Sequence, residues 1–217
     1  MTTTTSITRK ASSVYGPPTS RLDRSPTRPN REPAVNLAAI LDVIEGLLNA
    51  AEHPDIVKVD RYGDGNEPWG PSTERSKSKT LAGVKVTHQS TATASLWGAV
   101  WPGQQPVAVP DVLPAPKFRA ARLAILVVQL LDVARPAQFK AWQLVALPDL
   151  GPAEARGTFP AGVSITCADG ASMLLRATST GASVGHEDTE DRFSDYMIPE
   201  GVKQWHQRVS AVSAARG

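Results

Sequence analysis

Between Pro116 and Pro136 the chain carries its longest nearly unbroken apolar segment, from Leu123 to Leu131, and this segment most restricts what the chain can become. Pro116 suits the first turn of a helix, where its missing N–H would be unpaired anyway. Pro136 ends the helix by lacking a donor and by disfavouring α geometry at Arg135. At about 100° per residue, Arg122, Gln129 and Asp132 share one narrow polar stripe, and Leu123, Ile125, Leu126, Val127, Val128, Leu130, Leu131 and Val133 cover the rest. A helix apolar around most of its circumference is expected to be buried on more than one side. A membrane span needs about 20 mostly apolar residues. Here Gln129 interrupts the run, and Arg119, Arg122, Asp132 and Arg135 flank it. The segment therefore predicts a helix enclosed in a water-soluble body, with Leu126 and Leu130 in its core.

The other elements follow from periodicity. Val35 to Ala51 places Leu37, Ile40, Leu41, Ile44, Leu47 and Leu48 at helical spacing, with Asp42, Glu45 and Asn49 opposite. Gly46 inside this helix costs about 1 kcal/mol against Ala. Pro54 stops it. Ile56 to Arg61 then reads as a strand, with Ile56, Lys58 and Asp60 on one face and Val57 and Val59 on the other. Val84 to Trp101 is β-rich. Val84, Val86 and His88 share one face, and Ser95, Trp97, Ala99 and Trp101 share another. Five prolines between 102 and 116 read as an extended connector. Phe139 to Leu147 reads as a strand. Val163 to Ala168 and Ala171 to Ala177 read as a hairpin closed by a type I′ turn at Asp169-Gly170, pairing Thr166 with Met173 and Ile165 with Leu174. Pro199 opens a last helix with Val202, Trp205, Val209 and Val212 on one stripe. Local runs of strands with few helices predict an α+β fold, a mostly antiparallel sheet of five to six strands packed on a buried central helix.

Residues 1–33 are rich in Thr, Ser, Pro and Arg and poor in large apolar side chains, so they are expected to form a disordered basic tail. Residues 34–217 are expected to form a single domain with a flexible loop at 62–80. No apolar h-region follows the first residue, so the start does not read as a secretory signal. The net charge of +2 gives no argument for nucleic acid by itself. The single cysteine, Cys167, excludes an internal disulfide and fits a reducing, cytoplasmic setting. Abundant Arg, Ala, Pro and Gly match the coding bias of high-GC bacteria and their mobile elements.

Several stretches could carry chemistry. Gly181-Ala182-Ser183-Val184-Gly185 spells G-x-S-x-G, in which Ser183 would be a nucleophile with His206 as its base. Only about 30 residues follow, too few for the sheet, acid and histidine that succeed the serine in hydrolases of that fold. His186, Glu187, Asp188 and Asp191 form an acidic cluster with an imidazole and are candidate ligands for a hard divalent cation. No EF-hand or HExxH spacing is present, and a charge run is more simply a solvated loop. His53-Pro54-Asp55 spells the tripeptide of J-domain co-chaperones. Those carry it between two helices after a basic helix. Here the preceding helix bears Asp42, Glu45 and Glu52 and a strand follows, so the tripeptide reads as a helix-stop turn. His88 reads as a partly buried or surface histidine, and Cys167 as a small apolar strand residue.

The candidate binding surface is Trp69 in the polar loop, with Lys77, Lys79 and the tail residues Arg21, Arg24 and Arg28. Aromatic side chains outside apolar periodicity are enriched as anchors in interfaces, and clustered cations suit phosphates or acidic partners. No cofactor is implied. The expected function is a non-enzymatic accessory or adaptor protein acting by protein–protein contact or self-association, without a membrane. The alternatives are a nucleic-acid-binding accessory protein using the basic tail, and a small serine hydrolase using Ser183.

Overall fold

The computed structural model describes residues 36–63, 81–181 and 190–205. The tail and most of the 62–80 loop lie outside them. Helix α1, Leu37–Ala51, begins where the Asn36 side chain accepts the Ala39 N–H at 2.9 Å, supplying one partner for the open first turn. It ends at Glu52, in the left-handed region with φ 47°. Leu37, Ile40, Leu41, Ile44, Leu47 and Leu48 are all buried. Gly46 has a packing reason as well as a propensity cost. A Cβ there would lie 2.2 Å from Trp205 Nε1, so the indole seats directly on the helix backbone.

The second helix opens with a 3₁₀ turn, Pro116–Phe118, and continues as α2, Arg119–Ala134. Arg135 caps it in the left-handed region and donates its N–H to Leu131 O at 2.8 Å. α2 touches α1 and strands β3, β5, β6 and β7. Gln129 is half-buried and Asp132 exposed, but Arg122 departs from the expected polar stripe. It is only 6% exposed.

The strands are β1 Ile56–Tyr62, β2 Gly83–His88, β3 Thr93–Ala99, β4 Gln105–Pro106, β5 Phe139–Ala146, β6 Pro160–Cys167 and β7 Ser172–Thr180. They form one sheet of seven strands in the order β1-β2-β3-β7-β6-β5-β4, with every neighbouring pair antiparallel. The α+β reading is therefore correct at that level, and the strand count of five to six is not. The additional strand, β4, is two residues of the proline-rich connector pairing with Ala146 and Val145. Pro106 and the absence of apolar alternation hid it, since an edge strand can be this short and tolerate proline.

The helix-facing side of the sheet carries Val84, Val86, Ala94, Leu96, Leu144, Val163, Ile165 and Leu175. On the other side, Ala99, Val145, Leu147, Ala161 and Leu174 form a second cluster, with Trp97, Trp101 and Leu150 packed against it. The grouping of Trp97, Ala99 and Trp101 is thus as expected, although β3 ends at Ala99.

Two local readings need correction. The β6–β7 hairpin pairs Ile165 with Met173 and Thr166 with Ser172. Three residues, not two, make the loop: Cys167 N donates to Ala171 O at 2.8 Å, and only Gly170 has a positive φ, 87°. This is the three-residue hairpin with glycine at the left-handed position. Because side chains alternate, the one-residue shift sends Leu174 to the face opposite Ile165. In β1, a bulge between Ile56 and Lys58 breaks the expected alternation, so Ile56 and Val59 both pack on the main core. The last helix is short, Glu200–Lys203, with Val202 and Trp205 buried. Val209 and Val212 lie outside the described residues. No described helix is long and apolar enough to cross a membrane.

Candidate functional site

The described polar chemistry concentrates where the end of α1, the end of β2, the first half of α2 and the segment after residue 190 meet. His53, His88 and Arg122 are the buried polar or charged residues of the described chain. The chain turns at His53-Pro54-Asp55, and the turn is closed by its own side chain: Asp55 N–H donates to His53 Nδ1 at 3.1 Å. That bond requires an unprotonated Nδ1. The His53 ring packs against Tyr196 (centroids 4.3 Å apart) and edge-on to Phe193 (6.2 Å). Tyr196 donates its hydroxyl to Ala51 O at 2.7 Å.

His88 enters from β2, on the face it shares with Val84 and Val86. Its Nδ1 lies 2.8 Å from Asp55 Oδ2. Burial acts to raise the Asp55 pKa, but the His88 hydrogen bond and the charges of His88, His53 and Arg122 outweigh it and hold the carboxyl below its usual value. Asp55 is therefore the ionised acceptor and His88 Nδ1–H the donor. The remaining nitrogen, His88 Nε2, is buried and has no hydrogen-bond partner among the described residues. His53, Asp55, His88 and Arg122 line a cavity of about 20 Å³, walled by Ile56, Leu113, Leu123 and Leu126. It is polar on one side and large enough for a water molecule.

Arg122 closes the far side. Its Nη1 donates to Pro114 O at 2.6 Å and its Nη2 to Asp191 Oδ2 at 2.7 Å. Asp191 Oδ1 accepts the Phe193 N–H at 3.1 Å. Both carboxylate oxygens of this candidate metal ligand thus have partners from the chain. Among the described residues no three His, Cys, Asp or Glu side chains gather as a metal site.

A second concavity, of about 390 Å³, lies between the start of α2, the start of β6 and the end of β7. Phe118, Leu150, Pro152 and Phe159 wall it, and Lys117 and Arg176 supply its charge. The Phe118 and Phe159 rings are 5.0 Å apart. The Arg176 guanidinium stacks over Trp97 (5.4 Å) and Trp101 (4.7 Å).

Of the candidate catalytic, metal and binding residues, Asp191 is the one the structure places in this network; it joins His53 and Asp55, read from the sequence as a helix-stop turn, and His88, read as a partly buried or surface histidine. Ser183, His206, His186, Glu187 and Asp188 lie outside the described residues, as do Trp69, Lys77, Lys79, Arg21, Arg24 and Arg28. The sequence reading missed the network itself. One signal pointed to it: a histidine on the face of β2 that also carries Val84 and Val86; Arg122 gave none, because its helical angle sets it beside Gln129 and Asp132. Buried polar groups need a partner. No protein-family model, curated protein or solved structure matches the chain.

The network makes stability pH-dependent. Burial is the main reason the His53 pKa lies below its ordinary 6.5. Asp55 and Asp191 pull it up, and Arg122 and His88 push it down. In the unfolded chain the imidazole takes a proton near pH 6.5, while the folded chain takes it only at lower pH. Stability is then fully present above about pH 6.5 and falls as pH drops toward the folded value. Urea unfolding at about pH 7.5 and about pH 5.5 is expected to show this loss. In His53→Asn, whose side-chain oxygen can accept the Asp55 N–H without titrating, the loss should be smaller. An equal loss in the variant would assign the effect elsewhere.

Proposed function

We propose that the chain is a non-enzymatic accessory protein that works by holding a protein partner, in the reducing setting that a lone, buried Cys167 suits. The observation that supports this reading is the surface around the polar network. The two most exposed large apolar side chains of the described chain are Met197, 84% exposed, and Val112, 80%. Met197 follows Tyr196, which packs on His53. Val112 precedes Leu113, which lines the cavity. Exposed apolar side chains next to a rigid, hydrogen-bonded support suit contact with another protein. On this reading α2 is the enclosed pillar of the core, and the polar network holds the 190–205 segment at a set height for the partner.

The test uses the full chain as bait beside a Val112→Ser/Met197→Ser variant. We expect a stoichiometric partner on the parent chain that the variant loses while its melting temperature is unchanged. Equal retention by both, or no stoichiometric partner on either, would overturn the reading.

A further inference from the structure

We infer that β1 is a self-association edge, pairing antiparallel with β1 of a second copy of this chain about a two-fold axis midway between the Val59 residues of the two copies. β1 is the outermost strand and, among the described residues, pairs only with β2. An outer strand presents a row of backbone donors and acceptors to any strand that fits beside it.

Symmetry limits the register to pairs centred on a residue, and charge favours Val59 among them. Opposite residues in a sheet share a face, so a two-fold antiparallel pair must be centred on a residue. Centring on Lys58, Asp60 or Arg61 would set two like charges opposite each other. Centring on Val59 instead sets Lys58 opposite Asp60 of the second copy, and does so twice. Opposite charges directly across a pair favour it, and like charges disfavour it. Lys58 and Asp60 already share a face, since Lys58 Nζ lies 2.8 Å from Asp60 Oδ1. Lys85 on β2 stands 4.0 Å from the other oxygen. In the paired state Asp60 would lie between Lys85 and Lys58 of the second copy.

This inference rests on the charge order of β1, not on the Val112–Met197 surface, so either can fail alone. Sedimentation of the full chain over a concentration series is expected to show mass rising from one chain to two. Lys58→Glu puts a carboxylate opposite the Asp60 carboxylate of the second copy and should weaken association by about tenfold or more. Asp60→Lys, made together with Lys85→Glu so that the ion pair to β2 is kept with reversed sign, should weaken it similarly. An equimolar mixture of the two variants restores opposite charges at both pairs and should recover the two-chain species. Thermal melts check that both variants fold. A one-chain mass for the parent at every concentration overturns the inference. So does undiminished association of the Lys58→Glu variant, or a mixture that stays monomeric.

Discussion

Leu130→Ala is expected to lower the unfolding free energy by about 2–5 kcal/mol, the usual cost of removing a buried leucine and leaving a cavity. Leu130 is 0% exposed, on a helix that touches four strands of the sheet and α1. Neighbours fixed on several sides cannot collapse into the space, which puts the cost toward the upper part of that range. For a chain of this size each kcal/mol moves Tm by about 2–4 °C. Val112→Ala, at an exposed position, serves as the control and should change stability by less than about 0.5 kcal/mol. A Leu130→Ala melt within that control's range would show that α2 is not enclosed.

Arg122→Ala is expected to cost about 2–4 kcal/mol. Removing one partner of a fully buried ion pair costs about 3–5 kcal/mol, because the other charge is stranded. The figure here is discounted because the Asp191 side chain keeps 20% of its exposure, against 8% for Arg122, so water still screens it. The change also leaves Pro114 O without its donor. The charge component can be separated from the packing component. Arg122→Met keeps most of the stem, and Arg122→Met combined with Asp191→Asn also removes the stranded carboxylate. The double variant should recover more than half of the Arg122→Ala loss in urea unfolding. Failure to recover would place the cost in packing instead of in the ion pair.

These two positions differ in how far the sequence could anticipate them. Leu130 follows from local periodicity, which needs no knowledge of what the helix packs against. Arg122 was misplaced by the same reasoning. Its helical angle puts it beside Gln129 and Asp132, yet it is buried, because Pro114 and Asp191 converge on it from outside the helix. The hairpin shows the same limit at shorter range. Asp169-Gly170 marked the turn, but whether two or three residues close it depended on Asp169 keeping a negative φ and accepting the Ala171 N–H through its own side chain. That one-residue difference set which face Leu174 occupies.

What the sequence determined by itself was local: the helix ends at Pro116 and Pro136, the apolar stripe of α1, and the predominance of antiparallel strands. Steric limits and solvent preference act there over a few residues and leave their period in the chain. What only the tertiary structure decided was the meeting of distant polar groups. Asp55 and His88, 33 residues apart, share a hydrogen bond, and Arg122 and Asp191, 69 apart, share a charge pair. A buried polar group must find a partner, but that requirement does not say where along the chain the partner lies; the sheet order and the crossing of α2 select it.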